Sequence, residues 1–162
     1  LGLTKLRAIV TGGKERYHSV YEGLKALQHC DYVLIHDGAR PCVTEEIIRH
    51  AADGAEQYGA CVVGMPVKDT IKVAAADGTV CATPERSTLR AIQTPQVFQA
   101  DLIKAALTNA MRKHLAITDD CSAVEQLRVK PVVTQGSDEN LKITTPIDIE
   151  LAESILRRRG GA

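Results

Sequence analysis

The sequence predicts an α/β domain, with a mostly parallel sheet, helices on both of its faces and a protruding β-hairpin arm. Three observations carry this expectation. Tyr32–His36 and Cys61–Val67 are continuous apolar runs, as strands are when helices cover a sheet on both sides. Around them, apolar residues recur at helical spacing, so strand and helix signals alternate. Asp77-Gly78 then joins two short segments that fall outside this alternation, a strong hairpin signal.

In chain order, Leu6–Val10 reads as a short buried strand, ended by Thr11-Gly12-Gly13. Tyr17, Val20, Leu24 and Leu27 mark an amphipathic helix. After the strand Tyr32–His36 comes the punctuation Asp37-Gly38-Ala39-Arg40-Pro41. Thr44 is a good N-cap, and Glu45-Glu46 suits the positive end of a helix dipole. Ile47, Ile48, Ala51, Ala52 and Ala55 supply that helix's buried face, and Gly59 its stop. Cys61–Val67 completes a strand–helix–strand–helix–strand series of Rossmann-like type. Thr70–Val73 and Thr79–Ala82 then flank the hairpin turn. This hairpin has no helix of its own to lie against, and such an exposed pair often needs a partner chain. A strand near Leu89–Gln93 follows, then helices near Ala100–Met111 and Asp119–Leu127. Strands at Pro131–Thr134 and Leu141–Ile143 precede a closing helix, which Thr145-Pro146-Ile147-Asp148 starts well. No repeat or internal boundary divides the chain. A single domain over 1–162 is expected, with the arm at about 67–87.

Composition excludes several classes. Twenty Lys plus Arg balance twenty Asp plus Glu, whereas nucleic-acid modules carry a basic excess. One Phe, four Tyr and no Trp leave little for base stacking. Five scattered cysteines form no C-x-x-C pair, and the histidines lack zinc spacing, so reduced thiols in a cytoplasmic protein are expected. No apolar run is long enough to span a bilayer.

Ligands of open α/β sheets bind beyond the carboxyl ends of the strands. Asp37 and Arg40 fall there. A carboxylate can hold Mg²⁺ and a guanidinium can grip a phosphate, although Asp37-Gly38 alone would read as a turn. Gly12, Gly13 and Arg16 lie in the equivalent place after Leu6–Val10, with Ser19 one turn along; an ordinary strand-to-helix loop explains them as well. The spacing of a Walker A loop is absent. Lys142, inside an apolar segment, is either an edge lysine or one that points into a site. Thr94-Pro95-Gln96 and Thr118-Asp119-Asp120 are explained adequately by turns and caps.

Six collinear motifs give these residues a common meaning. They are Gly12-Gly13-Lys14-Glu15-Arg16 with Ser19, His36–Pro41, Pro66–Thr70, Thr94-Pro95-Gln96, Thr118-Asp119-Asp120 and Asn140–Thr144. In order and spacing they resemble the 2-C-methyl-D-erythritol 4-phosphate cytidylyltransferases of the non-mevalonate isoprenoid pathway, over nearly the whole chain. The resemblance implies that CTP and methylerythritol phosphate give diphosphocytidyl-methylerythritol and pyrophosphate. It implies that Gly12, Gly13, Arg16, Ser19, Asp37 and Gly38 frame the nucleotide, with Asp37 positioning Mg²⁺ or another divalent cation. Lys142 would neutralise the α-phosphate, with Asp37 its catalytic companion. Arg40, Thr94, Thr118 and Lys142 would line the sugar-phosphate pocket, and Thr70 and Arg86 would reach a partner's site across a homodimer.

The sequence departs from this family at the front. The family opens with a strand and a Gly-rich loop that wraps the triphosphate, whereas here the match begins after that segment, at Leu1-Gly2-Leu3 without a Met. An N-terminally incomplete nucleotidyltransferase domain is therefore expected, with little or no catalysis by itself. Alternatives are a ribitol 5-phosphate cytidylyltransferase, a non-catalytic dimerisation fragment, or part of a bifunctional chain. No nucleic-acid or membrane partner is expected.

Overall fold

Two buried clusters, one on each face of a four-stranded sheet, organise the computed structural model, which describes residues 4–160. The Leu1-Gly2-Leu3 opening and the Gly161-Ala162 end lie outside the described residues. The strands are β1 (Tyr32–Ile35), β2 (Ala60–Pro66), β5 (Arg90–Gln99) and β6 (Val132–Gln135), in the spatial order β1-β5-β2-β6. β5 runs antiparallel to β1 and β2, and β6 parallel to β2, so three of the four strands point the same way.

Helix α2 (Glu45–Tyr58) covers one face, burying Ile47, Ala51 and Ala55 against Cys61, Val63 and Val97. Its ends follow the sequence signals: Thr44 Oγ1 accepts from the Ile47 N–H at 3.3 Å, and Gly59 stops the helix at φ 81°, where a side chain would be strained. On the other face α1 (Arg16–Ala26), α3 (Ala100–Arg112) and α4 (Asp120–Glu125) bury Leu24, Ile103, Leu107 and Val124 against Val33, Val62 and Phe98. The alternation of neighbouring strand residues between the two clusters explains why β2 reads as an unbroken apolar run. β1 differs: Val33 and Ile35 are buried, but Leu34 is 40% exposed.

Two sequence expectations need correction. Leu6–Val10 is not a strand; it is irregular and exposed, with Ile9 88% accessible. No described strand lies beside it, and an apolar run without a ladder partner cannot satisfy its backbone as a strand. Leu141–Ile143 also forms no strand. Its Ile143 N–H donates to the Ala39 carbonyl at 2.8 Å, which ties it to a loop rather than to the sheet. The hairpin does form, from β3 (Val73–Ala74) and β4 (Val80–Ala82), and both strands are exposed.

Helix α5 (Pro146–Arg158) closes the chain with the expected cap. Asp148 Oδ2 accepts from the Thr145 N–H at 2.8 Å and the Thr144 N–H at 2.9 Å, and from both threonine hydroxyls. These bonds, the Thr144 backbone first, hold the carboxyl at about 2, below its ordinary 3.8. A lowered value adds stability that is present above the unfolded value and lost as pH falls through the folded one. The Tm advantage of the wild type over Asp148→Asn should therefore be full above pH 3.8 and fade as pH falls to about 2, as thermal melts of both proteins across pH will read. Phe98 is fully buried in the larger cluster. Phe98→Ala should cost about 3–5 kcal/mol in urea unfolding, from lost transfer energy and the cavity left behind.

Candidate active site

The carboxyl end of β1 delivers Asp37 to a cavity of about 510 Å³. Asp37 is held from behind. Its N–H donates to Thr94 Oγ1 at 3.0 Å, Thr94 Oγ1 lies 3.0 Å from His36 Nδ1, and His36 Nε2 lies 3.1 Å from the Arg40 carbonyl. A carbonyl only accepts, so in the neutral ring the proton sits on Nε2 and Thr94 donates to Nδ1. One imidazole thus locks both ends of the 36–40 turn to β5.

In front, the Asp37 carboxylate gathers cations from three distant segments. Oδ1 accepts from Arg16 Nε at 3.0 Å; Oδ2 lies 3.0 Å from Lys142 Nζ and 3.9 Å from Arg40 Nε. Burial alone would raise the Asp37 carboxyl, but bonds from Lys142 and Arg16 outweigh it and hold the group below the ordinary range. Arg40 shifts downward because burial dominates, with only Asp37 opposing. Its Nε is buried without a hydrogen-bond partner, 3.9 Å from Asp37 Oδ2.

Lys142 and Arg40 are positioned by Asn140, which is fully buried. Its Nδ2 donates to the Thr94 carbonyl at 2.9 Å and Gln93 Oε1 at 3.1 Å, and its backbone carbonyl accepts from Arg40 Nη1 at 2.7 Å. This loop comes close to the sheet because residue 136 has no side chain: a Cβ there would lie 2.5 Å from Gln93 Oε1.

Arg16 makes a second contact, from Nη1 to Asp120 Oδ2 at 2.7 Å. Asp120 is 0% exposed, at the start of α4. Burial raises its carboxyl, with Arg16 opposing. The first turn of α4 is itself pinned to β5, since Gln96 donates to Asp119 Oδ2 at 2.8 Å and accepts from the Cys121 N–H at 3.0 Å.

Of the residues singled out in the sequence, Arg16, Asp37, Arg40, Thr94, Thr118 and Lys142 line one cavity. Gly12 and Gly13 precede α1, and the Gly13 N–H donates to Oγ of Ser19 in that helix at 3.1 Å; Gly38 lies in the 37–40 turn, and none of these lines the cavity. Thr70 and Arg86 lie on the arm, away from the cavity of their own chain, with Arg86 Nη1 donating to the Lys68 carbonyl at 2.9 Å. Sequence reasoning gave no role to His36, Gln93 or Asn140, and it read Gln96 and Asp120 as turn and cap residues, whereas Gln96 lies inside β5 and Asp120 pairs with Arg16. The available signal was Gln93 and Gln96, amides on either side of Thr94-Pro95 and just ahead of the apolar pair Val97-Phe98.

Asp37, Asp119 and Glu125 are the carboxylates that line this cavity among the described residues, and of them Asp37 is the one that gathers Arg16, Arg40 and Lys142. Among the described residues no cluster of three or more His, Cys, Asp or Glu could hold a metal alone. No described helix is long and apolar enough to cross a membrane.

The profile of the 2-C-methyl-D-erythritol 4-phosphate cytidylyltransferase family matches residues 1–158. The chain is 48% identical over 159 residues to the cytidylyltransferase of that name from Alkaliphilus oremlandii, covering 98% of this chain and 67% of that protein. It is 50% identical over 149 residues to that of Clostridioides difficile, covering 91% and 62%. The chain thus spans about two thirds of the length of such relatives. The crystal structure of 4-diphosphocytidyl-2C-methyl-D-erythritol synthase from Anaerococcus prevotii superposes with a TM-score of 0.85 at 36% identity, over 92% of this chain and 67% of that one. The Thermus thermophilus cytidylyltransferase gives 0.83 at 34%, over 91% and 72%. On sequence and fold together, this chain belongs to the 2-C-methyl-D-erythritol 4-phosphate cytidylyltransferase family.

Proposed function

We propose that the protein containing this chain joins CTP and 2-C-methyl-D-erythritol 4-phosphate, giving 4-diphosphocytidyl-2-C-methyl-D-erythritol and pyrophosphate. The observation that carries this reading is the convergence of Arg16, Arg40 and Lys142 on Asp37 at the mouth of one cavity. The relatives, named for methylerythritol phosphate, favour that acceptor over ribitol phosphate.

A phosphomonoester oxygen attacks the α-phosphorus of CTP in line; its bond to phosphorus forms as the bond to the β-bridging oxygen breaks, and the electron pair leaves with pyrophosphate. Such a transfer depends on positioning and on neutralising charge. Lys142, already beside the carboxylate, meets the charge gathering on the α-phosphoryl oxygens. Arg40, Thr94 and Thr118 line the pocket for the methylerythritol acceptor, while Arg16 faces the nucleotide from the cavity and Gly12, Gly13, Ser19 and Gly38, outside the cavity lining, frame its cytidine end.

A divalent cation fits this site as one delivered with the nucleotide. Mg²⁺ is commonly held by one or two carboxylates plus substrate phosphates, and Asp37 offers one such group once incoming phosphates draw Lys142 and Arg16 away. When bound, the ion would supply charge neutralisation at the phosphates. The exposed hairpin supports a homodimer in which Thr70 and Arg86 serve the partner's site. Five free cysteines, three of them buried, suit a cytoplasmic setting.

In the full-length protein, Lys142→Ala should lower kcat by about 10²–10³, the usual effect of deleting one preorganised donor, while circular dichroism and Tm stay unchanged. Near-normal pyrophosphate release from CTP and methylerythritol phosphate would refute the role. Mixing Lys142→Ala and Arg86→Ala subunits should restore about a quarter of wild-type turnover, because half the dimers would then hold one site with both groups intact. No recovery would refute the crossing arm.

A further inference from the structure

We propose that Asp120 is a positioning residue for the nucleotide: from beneath the cavity it anchors the Arg16 guanidinium, so that Arg16 can exchange its contact with Asp37 for one with CTP without losing its place. The inference rests on the reading of function above and assigns a task to a carboxylate that touches no ligand.

The geometry separates two kinds of contact on one side chain. Arg16 Nε meets Asp37, which lines the cavity, and Arg16 Nη1 meets Asp120, which is fully buried and does not. An anion entering the cavity competes with Asp37 for the guanidinium, but it cannot reach Asp120. Arg16 Nη2 has no protein partner among the described residues, so a further donor stays available. A long side chain loses much rotamer freedom when ordered, and the Asp120 contact meets that cost before the ligand arrives.

The anchor itself is rigid. Gln96 in β5 bonds both Asp119 and the Cys121 N–H, which fixes the turn carrying Asp120 against the sheet. Asp120 Oδ1 is buried with no hydrogen-bond partner. Caps and turns explain Asp119, which accepts from the Ser122 N–H at 2.8 Å, but they leave the Asp120 side chain unexplained. Without Asp120, Arg16 would be free to pair with Asp37 in the bidentate fashion natural to guanidinium and carboxylate. That would tie up the carboxylate that also orders Lys142.

The test is a double-mutant cycle in the full-length enzyme, with Arg16→Ala, Asp120→Asn and both together. Asp120→Asn is nearly isosteric and keeps an oxygen for Arg16 but removes the charge. It should raise the KM for CTP about tenfold, the scale of a weakened charged hydrogen bond, and change the KM for methylerythritol phosphate by less than about twofold. Because Asp120 acts only through Arg16, the double variant should match Arg16→Ala in its KM for CTP, which is non-additive. Arg16→Ala strands a buried carboxylate; if that variant fails to fold, Arg16→Lys replaces it, and non-additivity is again expected. Additive effects, or an Asp120→Asn protein with a lower Tm and both KM values unchanged below it, would overturn the proposal. An inactive wild type would overturn the functional reading and this inference with it, whereas an active wild type with additive variants would sink only the role of Asp120.

Discussion

The pairing of Asp37 with three cations is the constraint on which the site depends. Arg16, Arg40 and Lys142 come from α1, the turn after β1 and the loop before α5. Unscreened, they would repel one another: at an effective dielectric of about 20, like charges about 4 Å apart cost about 4 kcal/mol. Asp37 offsets that repulsion, and in turn the cations overcome the cost of its burial. The cluster is therefore a cationic pocket that carries its own internal anion. An arriving phosphate takes over the neutralising task, which frees the carboxylate for a second one.

Most of the remaining polar network keeps that cluster from collapsing. Thr94 and His36 fix the backbone of Asp37, and Asn140 fixes Arg40 and the approach of Lys142. Except for the bond between Arg40 and Asn140, these converge on Thr94 of β5, the antiparallel strand between β1 and β2. β5 has 10 residues against 4 in β1 and pairs with it only from Gln96 to Gln99, so its middle lies at the carboxyl edge of β1. That is how Gln93, Thr94 and Gln96 become the floor of the pocket.

How far the sequence revealed this differs by element. Caps were legible because they depend on neighbours in sequence: Thr44, Gly59, Thr145 and Asp148 behave as local chemistry dictates. β2 was legible because burial on both faces leaves an unbroken apolar run. Leu6–Val10 misled because a strand is a property of a pair, and hydrophobicity says nothing of whether a partner lies alongside. Lys142 showed the converse. Its segment is not a strand, yet the lysine does point into the site, and what directs it is the bond from Ile143 to Ala39, about a hundred residues away in sequence. Asp37 and Arg40 were legible from their place after a buried strand, whereas Arg16 and Lys142 joined them only through motif order. Asp120 stayed hidden because a buried carboxylate beside a capping residue reads like a second cap.

The bare backbone at Gly136 gives the site a weak point well away from its chemistry. A methyl group there would occupy space that Gln93 now fills, and Gln93 cannot withdraw without releasing the amide of Asn140. Through the Asn140 carbonyl the disturbance would reach the Arg40 guanidinium, and through the next two residues the Lys142 ammonium. The smallest side chain in the molecule thus sets the spacing of its phosphate-facing cations, and a gain of one carbon at that point would be felt as a loss of aim.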